Sequence, residues 1–223
     1  MKNRIVIFVV FVCCLWTMPG IVRAQLSVHQ FDQLMKKIDD VLWYEKVGDI
    51  AHVDKVILCG PPRWKESNPT SMSAGNELKF RAYIFIPKSV KENKKYPLIV
   101  FPHSGVHADM DTYYAHIIRE LIAQEYIVVA ADYRGSTGYG AGTYNNIDYG
   151  GLENEDVYIS RNYMVDNFDI VDGSRVGIMG WSEGGNLAAS KIRNLECPNY
   201  EICLIDYGCG KFNRKIHIME QYP

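Results

Sequence analysis

Two short runs constrain this chain more than any other feature. Pro97-Leu98-Ile99-Val100-Phe101 and Ile127-Val128-Val129-Ala130-Ala131 are apolar at every position. As strands they would be apolar on both faces, which suits a strand covered by helices above and below.

The surrounding pattern alternates in the same sense. Glu77 to Pro87 and Tyr96 to Pro102 read as strands, Asp111 to Gln124 as a helix and Tyr126 to Tyr133 as a strand. Glu153 to Phe168 then reads as a helix, Arg175 to Gly180 as a strand, Glu183 to Arg193 as a helix and Tyr200 to Asp206 as a strand. Strands that alternate with helices predict an α/β fold, with a mostly parallel central sheet and helices on both faces. Ahead of it, Phe31, Leu34, Met35, Ile38, Val41 and Leu42 recur at helical spacing, which predicts a short amphipathic lead-in helix from Phe31 to Tyr44. A loop rich in proline, serine and asparagine follows from Pro61 to Asn76, with strand-like segments on both sides. No internal repeat is visible.

The first 24 residues have the pattern of an export signal. Lys2 and Arg4 give a positive start, Ile5 to Trp16 an apolar stretch, and Val22-Arg23-Ala24 a small-residue cleavage site. The apolar run is well short of the roughly 20 residues needed to span a bilayer, so stable membrane insertion after cleavage is not expected. This divides the chain into a signal (1–24), a lead-in helix and loop (25–76) and an α/β domain (77–223), with export to a periplasm or beyond.

Charge excludes one class of partner. Twenty-four lysines and arginines nearly balance 26 aspartates and glutamates, for a net charge of −2, and no long basic run offers a surface for tracking phosphates, so no nucleic-acid partner is expected. Cys59, Cys197, Cys203 and Cys209 match no zinc spacing and are expected to be buried as small hydrophobes.

The chemistry concentrates at Gly180-Trp181-Ser182-Glu183-Gly184-Gly185. A strand, Arg175 to Met179, precedes it and a helix-forming stretch, Asn186 to Ser190, follows. That is G-x-S-x-G in the context it requires, a sharp strand-to-helix turn that lifts a serine oxygen clear of the sheet. Ser182 is the candidate nucleophile. The Glu183 amide, at the positive end of the helix, is the candidate oxyanion donor. A second donor is expected in the loop after the strand at 96–102, where Phe101-Pro102-His103-Ser104-Gly105 stands in the place of an HGG-like loop, so the amides of Ser104 and Gly105 are candidates. His103 is expected to shape that loop or face substrate, since the base follows the serine in the chain order of this fold. A metal cluster of His103, His107, Asp109 and Asp111 fits no zinc-hydrolase spacing, and no metal site is assigned.

These pieces, with Asp132-Tyr133-Arg134-Gly135-Ser136-Thr137-Gly138-Tyr139-Gly140, Asp148 to Asp156 and Val171-Asp172, resemble the catalytic domain of the prolyl oligopeptidase family of serine peptidases (family S9), which has the α/β-hydrolase fold. The resemblance runs from Tyr96 to Ala189. It implies a serine peptidase, or a related carboxylesterase, that forms an acyl-enzyme on Ser182. The substrate would be a peptide or an ester, no cofactor would be needed, and Tyr133 and Arg134 would lie near the substrate. The family's propeller has no room in 24–76. Its acid and histidine lie beyond further strand-helix units of roughly 30 residues each, whereas 41 residues follow Ser182 in this sequence. Asp206, Tyr207 and His217 are the groups of suitable chemistry there, and the stretch 208–217 departs from the family pattern as a frameshift or truncation would. An incomplete domain, with its C-terminal strands missing, and an inactive hydrolase are therefore the expectations to set beside the active one.

Overall fold

The computed structural model describes residues 27–61, 78–180 and 184, together with the backbone of 200–204. Helix α1 spans Val28–Val47, longer at both ends than its apolar spacing suggests. Ser27 caps it: the Ser27 hydroxyl accepts from the Gln30 amide and the Gln30 side chain accepts from the Ser27 amide, so two otherwise orphaned donors are satisfied.

Strand β1 (Ala51–Gly60), inside the lead-in segment, pairs antiparallel with β2 (Leu78–Pro87), and β2 pairs antiparallel with β4 (Ile127–Asp132). From there the ladder turns parallel: β4 with β3 (Tyr96–Val100), β3 with β5 (Val171–Gly180), and β5 with β6 (Tyr200–Leu204). The sheet thus has six strands in the order β1-β2-β4-β3-β5-β6. The expected mostly parallel sheet is a mixed one, because β2 runs against β4 and β1 turns back on β2. Parallel pairing begins only where helical crossovers connect the strands.

Each face of the sheet is covered. Every residue of β4 is buried, as its apolar run predicts. On one face Ile84, Leu98 and Val129 pack with Val157 and Met164 of helix α4 (Leu152–Asn167). On the other, Phe85, Val128 and Ala130 pack with Trp43 and Val47 of α1 and with Ile118 and Ile122 of helix α2 (Ala115–Ala123). A 3₁₀ turn (Thr112–Tyr114) leads into α2, and a short helix α3 (Ala141–Tyr144) follows β4.

Two expectations change here. The apolar stripe of α1 does not face the core: Phe31, Leu34, Met35, Ile38 and Val41 are all about half exposed or more, while Lys36, Trp43 and Val47 are buried. Cys59 is exposed, because it alternates outward on β1. Cys197, Cys203 and Cys209 fall outside the residues whose side chains are described.

Candidate active site

The loop after β3 is built around His103. Its ring is fully buried and stacks on Tyr133 with centroids 4.2 Å apart. Its Nε2 lies 2.8 Å from the Ser136 hydroxyl and its Nδ1 3.2 Å from the Ser104 carbonyl oxygen. Burial holds this imidazole below the ordinary histidine range, against the opposite pull of Asp132, so it sits neutral in the loop. The Tyr133 hydroxyl lies 3.2 Å from the carbonyl oxygens of both His103 and Gly105, in donor position to each. This turns both carbonyls toward Tyr133.

The two candidate donors of the loop then differ. The Ser104 amide faces the Tyr114 hydroxyl at 3.3 Å, and the Ser104 hydroxyl shares a 2.9 Å hydrogen bond with the same oxygen. No described residue accepts from the Gly105 amide. Gly105 has φ +79°, a left-handed conformation open to glycine and strained for residues with a Cβ. Of the two, Gly105 has its N–H available for a ligand oxygen.

Ser182 and Glu183 fall outside the described residues; of their motif, Gly180 and Gly184 are described. Gly184 is helical and buried, and a Cβ on it would lie 2.6 Å from the Pro102 carbonyl oxygen and 2.8 Å from that of His103. Gly184 therefore rests on the backbone of the His103 loop. The sequence shows this glycine as part of the motif; its contact with Pro102 and His103 is a tertiary fact.

Below the loop, the turn after β4 is fixed by buried charge. Arg134 is 1% exposed and donates to Asp156 through Nε (2.8 Å), Nη2 (2.7 Å) and its backbone amide (3.0 Å), with a further bond from Nη2 to the Pro61 carbonyl. Burial raises the Asp156 carboxyl above the usual range, even against Arg134. The side chains of His103, Tyr133 and Arg134, expected near substrate, are all buried, and the first two hold the loop through Ser136, Ser104 and the His103 and Gly105 carbonyls.

Sequence reading missed a second buried cluster. Asp132, at the end of β4, accepts from the Met110 amide and from the Tyr139 hydroxyl and pairs with Lys36 at 3.1 Å. Lys36 also reaches Asp109 at 2.6 Å and the Met110 carbonyl at 2.5 Å. Burial alone would push the Lys36 ammonium down, but Asp132 and Asp109 outweigh it and raise it above the ordinary lysine range. No local signal announces this cluster, since its members lie on α1 and on two loops far apart in the chain.

The residues of the rejected metal cluster are dispersed. His103 serves Ser136, His107 sits on the Gly135 carbonyl and stacks on Tyr144, Asp109 holds Lys36 and Thr137, and Asp111 caps the Tyr113 amide. Among the described residues no group of three His, Cys, Asp or Glu side chains could hold a metal ion.

Comparison with known proteins points to one peptidase family. Residues 112–209 match the prolyl oligopeptidase family. The chain is 31% identical over 115 residues to a probable dipeptidyl-peptidase 5 of Aspergillus flavus, covering 50% of this chain and 16% of that protein. It is 26% identical over 132 residues to the acylamino-acid-releasing enzyme of Sus scrofa, covering 57% of this chain and 18% of that enzyme. Among solved structures, a puromycin-hydrolyzing peptidase of Mycobacterium tuberculosis superposes with a TM-score of 0.57 at 22% identity, over 69% of this chain and 22% of that one. The chain thus spans less than a quarter of the length of these relatives. The family that the chain resembles over residues 112–209 is thus the prolyl oligopeptidase family, peptidase family S9.

Proposed function

We propose that this protein is a serine hydrolase of the peptidase type, acting by acyl transfer through Ser182. The observation that supports the reading is the seat of Gly184, two residues after Ser182 in the sequence, on the carbonyls of Pro102 and His103. In the proposed mechanism the Ser182 oxygen attacks the acyl carbon and gives its proton to a base. The oxyanion that forms accepts hydrogen bonds from the amides of Glu183 and Gly105; its collapse breaks the bond to the leaving amine or alcohol, which departs with that proton, and water then hydrolyses the acyl-enzyme, releasing the acid and restoring the serine hydroxyl. His103 and His107, each spent on the loops around them, are not the base in this scheme.

A peptide is the favoured substrate because the relatives are peptidases by name. Export is proposed on the residues at 1–24, and N-terminal sequencing of the secreted protein should begin at Gln25; a protein retaining Met1 would refute this. Matched amide and ester substrates test the chemistry. Both should be turned over by the protein and neither by Ser182→Ala, with the peptide amide turned over at a rate that competes with the ester. Turnover that survives in Ser182→Ala would overturn the assignment, and turnover of the ester alone would replace the peptidase with an esterase.

A further inference from the structure

A pocket of about 560 Å³ opens between α1, the outer strands and the turn after β4. Its lining includes four cations, Lys36, Lys37, Lys55 and Arg81, and one carboxylate, Asp40. The register explains how they meet. Arg81 pairs across the ladder with Ile57 on one side and Asp132 on the other, and Lys55 pairs with Tyr83, so all of these side chains share the face that α1 covers.

Two of the cations are already satisfied. Lys36 is spent on Asp109, Asp132 and the Met110 carbonyl. Lys55 donates to Asp40 at 2.6 Å and to the Tyr83 hydroxyl at 3.1 Å. The other two are not. Arg81 lies with its guanidinium carbon 5.0 Å from the Tyr139 ring centre and has no ion pair among the described residues. Lys37 reaches Asp40 only at 3.9 Å, from a side chain 82% exposed. A half-buried guanidinium beside an aromatic ring, with an ammonium nearby, offers the planar fork that binds a carboxylate through two parallel bonds. Leu34 and Ile57 give the pocket an apolar rim.

Position supplies the rest. Arg81 stands level with Asp132, the last residue of β4, and β5 ends at Gly180 just before Ser182. Arg81 and Gly180 therefore lie at the same edge of the sheet. They are three strand steps apart, about 14 Å at roughly 4.8 Å per step, which is the reach of about four extended residues. We infer that this pocket receives a carboxylate carried by a peptide substrate, at its C-terminus or on an acidic side chain, some four residues from the bond cleaved at Ser182. The inference rests on the peptidase reading above.

The test is binding to the Ser182→Ala protein, which holds peptides without turning them over. Two matched pairs of short peptides are titrated by fluorescence anisotropy: a free-acid end against its amide, and, in amide-capped peptides, Glu against Gln. At least one pair should favour the acid by about tenfold, as expected for hydrogen bonds to a charged group. Arg81→Gln should abolish that preference and Arg81→Lys should keep part of it. Lys37→Gln, at an exposed position that cannot disturb the fold, should reduce it. Neither pair showing a preference would overturn the inference, as would a preference untouched by Arg81→Gln and Lys37→Gln. The outcome is independent of the catalytic reading: a protein that binds acids through Arg81 but lacks a reactive Ser182 keeps the pocket and loses the peptidase.

Discussion

At the scale of single residues, the site is held by contacts that leave no room. Gly184 is the sharpest case, because a methyl group there meets carbonyl oxygens of the backbone rather than a side chain that could swing aside. Gly184→Ala should cost about 1–3 kcal/mol in urea unfolding and lower kcat/KM by about 100-fold, the order expected when a reacting group moves by an ångström. Wild-type turnover in that variant would separate the serine turn from the His103 loop. His103 carries a pH signature. Its folded form is held neutral below the ordinary range, whereas the unfolded chain binds a proton at about pH 6.5. Its contribution is thus complete above about pH 6.5 and is lost as the pH falls below that value. Thermal unfolding between pH 7.5 and 5.5 should show this acid-side slope, and His103→Gln should flatten it. A variant with the wild-type slope would place the titration elsewhere.

At the scale of elements, the sequence located most of the structure and misjudged two relationships. The strands at 96–100, 127–132 and 200–204 and the helix at 152–167 fall within a few residues of their expected limits, because burial on two faces and helical periodicity are local signals. The antiparallel pairing of β1 and β2 was not legible, since nothing within either strand reports its neighbour. Nor was the orientation of α1. Its apolar spacing predicts a helix correctly, yet the buried face is set by Lys36, drawn in by Asp109 and Asp132, and by Trp43, which packs on Phe85 at 4.9 Å. A direct comparison checks this orientation. Trp43→Ala should cost about 3–5 kcal/mol, whereas Ile38→Ser, at a position 46% exposed, should change stability by less than about 0.5 kcal/mol. The reverse order would mean that the apolar stripe faces the core.

At the scale of the whole molecule, the fold places the candidate chemistry at one edge of the sheet. The candidate oxyanion loop follows β3, the Arg134 turn follows β4 and the G-x-S-x-G motif follows β5 in the sequence, all after the C-terminal ends of parallel strands, where open α/β sheets bind ligands. The candidate nucleophile was legible because G-x-S-x-G needs only a local strand and helix. The support beneath the site, Lys36 with Asp132 and Arg134 with Asp156, was not, because each pair is assembled from distant segments. The central claim is that Ser182 is an activated nucleophile facing an assembled oxyanion site. Treatment of the intact protein with a fluorophosphonate probe, followed by peptide mapping, tests it directly. Modification is expected at Ser182 and none in Ser182→Ala; a folded protein that takes up no probe at Ser182 would show that this serine is not an activated nucleophile.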